Sequence, residues 1–330
     1  MHPSDIELSV VIPVFNEGPN IGPLCERVRP ILDRITGAWE IVFVDDGSAD
    51  GTLAAIAAVH AEEPRIGAVS FSRNFGKEIA IAAGLDHARG RAVVIMDADL
   101  QHPPELIETF VRHWREGYVM VYGQRTDREG ESAVKRGFAQ IFYRLFERFG
   151  ETSLPEGAGD FRLIDRKGVE VLRVLGERAR FSKGLYAWVG FRQLGVPYAV
   201  AKREHGTTKF SFRKLFRFAF DGITSFSTIP LRVWTYVGGV VSLMAFAAAL
   251  FFAIRTVAFG SDVPGYPSLI VSIMFFSGIQ LISLGVIGEY IGRIFAEVKR
   301  RPLYVVAERI GGAAQTGDTL TRDAPRVAHL

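Results

Sequence analysis

The chain of 330 residues has a single cysteine, Cys25. That excludes an internal disulfide and suits a reducing compartment. No long apolar segment follows Met1, so no signal peptide is expected. Neither Gly-x-Gly-x-x-Gly nor Gly-x4-Gly-Lys-Ser/Thr occurs, and dinucleotide and P-loop readings lose their phosphate-cradling glycines. The formal net charge of +3 is too small to argue for nucleic acid, and none is expected as a partner. There is no internal repeat. His102 and His205 lack the spacing of zinc ligands and the partners of a catalytic triad, and read as hydrogen-bonding bystanders. What the chain has in excess is apolar residues, 48% of the total at a mean hydropathy of +0.16, concentrated late in the sequence.

The remaining chain is organised around Val93-Val94-Ile95-Met96-Asp97-Ala98-Asp99-Leu100-Gln101. A short apolar run ends on two carboxylates separated by one small residue. Such a run is either a buried strand or a piece of buried helix. Gly90 and the Pro103-Pro104 pair favour the strand, because both punctuate the chain. Carboxylates at the tip of a buried strand are costly unless a positive group meets them. A divalent cation carrying phosphates would do so, since Mg2+ is commonly held by one or two carboxylates plus substrate oxygens. An ordinary strand end turning into a polar loop has the same local pattern, so the neighbours decide.

Those neighbours alternate between strand and helix. Leu8–Ile12, Trp39–Val44, Ile66–Phe71, Ala92–Met96 and Val119–Tyr122 read as strands. Asn20–Ile35, Thr52–Glu62 with Asp50 as its cap, Glu78–Ala88 and a segment after Pro104 read as helices. Alternation of this kind predicts right-handed crossovers, a mostly parallel sheet and helices on both faces. Ligands in such sheets bind beyond the carboxyl ends of the strands. There lie Pro13-Val14-Phe15-Asn16-Glu17, Asp45-Asp46-Gly47-Ser48, Ser72-Arg73-Asn74-Phe75-Gly76-Lys77 and Asp97-Ala98-Asp99. Asp-Gly-Ser is also a respectable turn. The mixture of Arg and Lys with four Asp residues fits a nucleotide diphosphate and a metal better than a set of turns.

Val-Ile-Pro-Val-Phe-Asn-Glu, Val-Asp-Asp-Gly-Ser-Ala-Asp-Gly-Thr and Met-Asp-Ala-Asp-Leu-Gln resemble the family 2 glycosyltransferases of GT-A fold. Ser-Arg-Asn-Phe-Gly-Lys and Ala-Gly-Asp-Phe-Arg-Leu narrow the resemblance to polyprenyl-phosphate glycosyltransferases, which include dolichol-phosphate mannose synthases and undecaprenyl-phosphate glucosyltransferases. It runs from about Leu8 to Arg301. It implies an α/β, GT-A Rossmann-like catalytic domain over residues 1–209. The implied reaction is inverting transfer of one sugar from a nucleotide diphosphate, expected to be UDP-glucose, to polyprenyl phosphate. GDP-mannose and UDP-GlcNAc are the alternative donors.

The same resemblance distributes roles. Asp97 and Asp99 would hold Mg2+ or Mn2+, with Gln101 a third ligand. Pro13, Phe15, Glu17, Asp45, Asp46, Lys77, Ala98 and Arg125 would contact the nucleotide sugar. Arg203 and Lys209, around the flexible Glu204-His205-Gly206-Thr207-Thr208, would close over its diphosphate. Asp160 and Arg162, in Gly157-Ala158-Gly159-Asp160-Phe161-Arg162, would lie beside the reacting centre, although a turn with an ion pair has the same sequence. Arg125, Arg128, Lys135 and Arg162 would meet the acceptor phosphate, in a stretch that otherwise reads as a solvated loop. Phe181–Val189 and Arg192–Val200 are expected to pack as a helix and a strand.

In the last third, Phe212, Leu215, Phe216, Ala219, Phe220, Ile223 and Phe226 fall on one helical stripe, with Arg213, Lys214 and Arg217 off it. An aromatic, basic-flanked stripe predicts an interfacial helix over 210–232. Val233–Ile254 and Val263–Gly288 are uncharged runs of about 22 and about 26 residues, each long enough to cross a bilayer. They predict a two-helix transmembrane hairpin over 233–292 (spans about 233–257 and 266–290). Arg and Lys lie on the outer flanks and not in the connection around Gly260–Pro267, which contains Asp262. The hairpin's short loop is therefore expected outside, with the catalytic domain and both termini cytoplasmic at the inner membrane. Residues 293–330 read as a tail, disordered after about 310. The resemblance also implies a homo-oligomer, up to a tetramer. A polysaccharide synthase is the enzymatic rival, but Gln-x-x-Arg-Trp and further spans are missing. The rival of another class is an inactive scaffold partnering a flippase.

Overall fold

The computed structural model describes residues 6–125, 157–175, 182–198, 265–299 and 301–311, with scattered helical residues between 238 and 258. Expectations for Arg128, Lys135, Arg203, Lys209, His205 and the stripe from Phe212 to Phe226 fall outside these residues. The chain divides into two units, Met1–Ala219 with Arg301–Leu330, and Phe220–Arg300.

In the first unit the expected alternation is present. Strands β1 (Leu8–Val14), β2 (Trp39–Asp45), β3 (Ile66–Phe71) and β4 (Ala92–Ile95) are separated by helices α1 (Gly18–Ile35), α2 (Thr52–Glu62) and α3 (Lys77–His87). Nearly every residue of these strands is buried. Helices cover both faces of a parallel sheet, so its strands are continuous apolar runs without polar alternation. Helix α1 turns Ile21, Leu24, Cys25, Val28, Ile31 and Leu32 inward, a single stripe at helical spacing. Helix α3 lies so close to β1 that a Cβ on Gly84 would overlap the Val11 side chain.

Beyond β4 come α4 (Leu106–Arg115), β5 (Met120–Arg125), β6 (Ala158–Asp165), α5 (Arg166–Val174), α6 (Ser182–Trp188) and β7 (Gln193–Tyr198). The sheet has eight strands in the order β7-β5-β6-β4-β1-β2-β3-β8. It is mixed, whereas the alternation alone predicts a mostly parallel one. Strand β6 runs antiparallel to both β4 and β5, and β8 (Val306–Ile310) antiparallel to β3. Two elements depart from the sequence reading. Gly157–Arg162, whose glycines equally allow a turn, largely belongs to β6. The tail beyond residue 293 supplies β8, which returns to the sheet edge. Asp50, expected as the cap of α2, does accept the Thr52 N–H at 3.0 Å, although Gly51 is the residue at the N-cap position.

The second unit contains helix α7 (Tyr266–Val298), 33 residues long. Among the described residues it is the one helix long and apolar enough to cross a membrane, through Phe275–Gly292. Ile273, Phe276, Leu281, Leu284, Ile287 and Ile294 are all exposed. The described residues between 238 and 258, where the other span is expected, are helical. Leu243, Met244, Leu250, Phe251 and Ile254 among them are exposed as well.

Candidate active site

Strands β1, β2 and β3 end nearly level, Val14 pairing with Asp45 and Asp45 with Ser70, whereas β4 stops earlier, its last residue Ile95 beside Val11. Their tips open into a cavity of about 320 Å³. Strand β1 and the turn after it lend Pro13, Phe15 and Glu17, the turn after β2 lends Asp46, the loop after β3 lends Asn74 and Gly76, the start of α3 lends Lys77, and the segment after β4 lends Asp97, Ala98 and Asp99. Six of the residues named for nucleotide-sugar contact, with Asp97 and Asp99, thus share one space. Asp45 does not. It is buried, accepting hydrogen bonds from the Ser70 hydroxyl (2.7 Å) and the Ser48 N–H (3.0 Å). Its neighbour Asp46 accepts from the Phe75 and Gly76 N–H groups at 2.6 and 2.9 Å and so fixes the loop after β3. Burial nevertheless pushes the Asp46 carboxyl up.

Two non-glycine residues at these tips, Asn16 and Leu100, hold positive φ of 55° each. Few L-residues adopt that conformation, and such outliers gather at functional sites. Asn16 is fastened there by crossed bonds: its N–H donates to Ser48 Oγ (2.9 Å), and its Oδ1 accepts the Ala49 N–H (3.0 Å).

Charge converges on Lys77, the first residue of α3. Its Nζ lies 2.6 Å from Asp97 Oδ1, 2.9 Å from Asp97 Oδ2 and 3.0 Å from Asp160 Oδ2. Burial opposes the ammonium charge, but the two carboxylates outweigh it and hold the lysine above its ordinary range. Burial likewise opposes charge on Asp97, yet His102 and Lys77 hold its carboxyl well below the usual carboxylate range. Asp160 is lowered in the same way, mainly by Lys77. The alternative of a turn with an ion pair within Asp160-Phe161-Arg162 is not what forms. Asp160 turns to Lys77, while Arg162, 2% exposed, stacks 3.7 Å over the Tyr186 ring and donates to the Gly159 carbonyl at 2.6 Å. Arg125 ends β5, exposed.

Several participants carry no local signal in the sequence. His102 does more than stand by: its ring bonds the Tyr198 hydroxyl (2.9 Å), stacks on Phe161 and lies 3.6 Å from Asp97 Oδ2. Burial, reinforced by Asp97, Asp99 and Asp160 and opposed by Arg125, pushes Tyr198 up to about 12. Glu78 accepts from the N–H and hydroxyl of Ser182, and burial pushes its carboxyl up. The adjacency of Lys77 and Glu78 hints at Glu78. Tyr186 and Tyr198 enter from elements more than eighty residues away.

Among the described residues no group of three or more His, Cys, Asp or Glu side chains could hold a metal ion. The donor set still fits a hard cation that arrives with its substrate, since Mg2+ needs only one or two carboxylates when phosphates supply further oxygens. Asp97 and Asp99 are such a pair on one cavity wall. Gln101 joins through its backbone, the N–H donating to Asp99 Oδ1 at 3.2 Å.

The model of glycosyl transferase family 2 matches residues 9–173, half of the chain and the part that builds this cavity. The chain belongs to glycosyl transferase family 2. The resemblance carried by the strand-end motifs therefore holds, and the sheet is the GT-A-like core of a glycosyltransferase. An uncharacterized glycosyltransferase of Synechocystis is 51% identical, covering 93% of this chain and 96% of the relative. A bactoprenol glucosyl transferase of Shigella flexneri, prophage-derived, is 46% identical over 91% of this chain and 97% of its own. Among solved structures, a mannosyltransferase of Pyrobaculum calidifontis in complex with GDP-Man and Mn2+ is similar at a TM-score of 0.47 and 19% identity, covering 86% of this chain and 84% of its own.

Proposed function

We propose that this family 2 enzyme is a membrane-bound, inverting transferase that moves one glucose from UDP-glucose to a polyprenyl phosphate. The observation that carries the reading is the Lys77–Asp97–Asp160 cluster, set beside Asp99 in a cavity at the carboxyl edge of the sheet. The ammonium is held in place before any substrate arrives, so its charge needs no reorganisation when it meets an anionic diphosphate. Relatives named as bactoprenol glucosyl transferases, aligned over nearly the whole chain, support glucose as the sugar and a polyprenyl phosphate as the acceptor.

In the reaction a phosphate oxygen of the lipid attacks the anomeric carbon. The new C–O bond forms as the bond to the diphosphate oxygen breaks, and the electron pair leaves with the nucleoside diphosphate. One displacement inverts the sugar. A sugar hydroxyl acceptor would need a general base, whereas a lipid phosphate is mostly ionised near neutral pH, its second pKa being roughly 6. Asp160 is therefore free to act as a positioning partner of Lys77. Asp97 and Asp99, with Gln101 beside them, would hold Mg2+ or Mn2+, which when bound offsets charge on the leaving diphosphate.

Two features support a membrane location. A helix apolar on all sides is stable only when covered, by protein or by lipid, and α7 exposes Leu, Ile and Phe around its circumference. In addition, Phe220–Arg300 leaves the first unit and returns to it, because β8 pairs with β3. A segment that leaves and rejoins the same water-soluble unit crosses a bilayer an even number of times. One crossing by α7 thus requires a second, and the uncharged run from 233 supplies it. The test is to incubate membranes containing the enzyme with labelled UDP-glucose, GDP-mannose or UDP-GlcNAc and polyprenyl phosphate. A single glucosylated lipid phosphate is expected from UDP-glucose; label confined to a polymer, or to no lipid, refutes the reading.

A further inference from the structure

The loop from Ser72 to Gly76 supplies Asn74 and Gly76 to the cavity and delivers Lys77 to it, yet it has no helix or strand of its own. Something must fix it. On one side Asp46 accepts two of its N–H groups, and Gly47 backs so closely onto it that a Cβ there would sit 2.5 Å from the Arg73 carbonyl carbon. The other side is held by the segment that follows the apolar helix. The N–H of Ser72, first residue of the loop, donates to the Val305 carbonyl at 3.0 Å. Tyr304 stacks on Phe71 with ring centroids 5.0 Å apart and 21° between planes. Phe71 in turn meets Phe75, within the loop, edge-on at 5.6 Å and 88°. The Tyr304 hydroxyl donates to Asp86 Oδ2, on α3, at 3.1 Å. A row of three rings therefore runs from the post-helix segment into the cavity wall, and it is tied at its outer end to the helix that Lys77 begins.

We propose that Tyr304 is a positioning residue for the nucleotide sugar, holding the Ser72–Lys77 loop in its binding shape through Phe71 and Phe75. Bond and stack enter at the base of the loop and act on Asn74, Gly76 and Lys77 together, none of which Tyr304 is required to touch. This rests on the reading of the cavity as the donor site. Loss of the ring should weaken donor binding and leave the acceptor's binding alone. Tyr304→Phe keeps the stack and gives up the bond to Asp86.

The experiment uses the full-length enzyme in membranes, measuring donor KM, acceptor KM and kcat separately, with UDP binding by titration as a second readout. Wild-type UDP binding is measured first, and its absence sinks the donor reading and this proposal with it. Tyr304→Ala should raise donor KM and the UDP dissociation constant by about tenfold, the weight of an aromatic contact, with acceptor KM unchanged. Tyr304→Phe should restore both to within about threefold of wild type. Tyr304→Leu, which keeps apolar volume but not the ring, is read in place of the alanine variant if that one does not fold, with the same expectation. A wild-type donor KM in a folded Ala or Leu variant overturns the proposal. So does a Tm drop accompanied by equal changes in both KM values, which is what a merely structural role predicts.

Discussion

At the scale of single residues the site is decided by which carboxylates serve the protein and which serve the ligand. Asp97 does both, since it carries the Lys77 ammonium and lines the cavity. Asp99 also lines the cavity and accepts the Gln101 N–H. The two should therefore separate on substitution. Asp99→Asn should lower kcat by at least about 100-fold, the usual scale for removing one electrostatic partner of a transition state, with Tm near wild type. Asp97→Asn should lose activity to a similar extent and also lower Tm, because Lys77 loses the nearer of the two carboxylates paired with it. Equal Tm values for the two variants would refute the division of labour. Cys25 gives a second check on the core. Burial pushes its thiol up to about 12 from an ordinary 9.0, so almost no thiolate exists near neutral pH. Maleimide should leave it unmodified in the folded enzyme and label it fully in denaturant, as counted by mass spectrometry.

Among elements, those legible in the sequence are the ones whose stability is local or whose apolar run is unbroken. Strands β1 to β4 are buried on both faces and read as short, mainly apolar runs. The site residues on their tips are legible for the same reason, because each follows the end of a run. Strand β6 is different. Ala-Gly-Asp-Phe-Arg-Leu-Ile-Asp carries charges along its length, and its extended form comes from pairing with β4 and β5 on either side. Strand β8, Val-Ala-Glu-Arg-Ile, owes its form to β3, more than two hundred residues earlier. No window of sequence contains those partners. The same limit hides Tyr186, Tyr198 and Tyr304, whose roles depend on what lies across the sheet. Packing between elements is testable at Gly84, where α3 approaches β1. Gly84→Val should cost about 1–3 kcal/mol by overpacking, seen as a lower Tm. Adding Val11→Ala, which removes the side chain in the way, should recover part of the loss. An unchanged Tm for the single variant would show that the helix can shift at no cost.

For the whole molecule the deciding fact is the return of the chain. Read forward, residues after the second apolar run look like a tail with no further part in the fold. Instead Tyr304 and β8 bind the same unit that carries the cavity. Any crossing made on the way out must then be reversed before Arg301. Lys and Arg flank the apolar region on both outer sides, whereas the connection around Gly260–Pro267 contains Asp262 and neither cation. Positive charge favours the cytoplasmic side, so the connection is expected on the opposite face. Ser261→Cys, in a Cys25→Ser background, should react with a membrane-impermeant maleimide added to intact cells. Modification confined to inverted vesicles or permeabilised cells would put the connection inside and reverse the orientation. A cysteine introduced at Ser72, in the loop beside the cavity, is the internal control. It should react only after permeabilisation, and labelling of both sites from the same side would mean that the run from Val233 does not cross the bilayer.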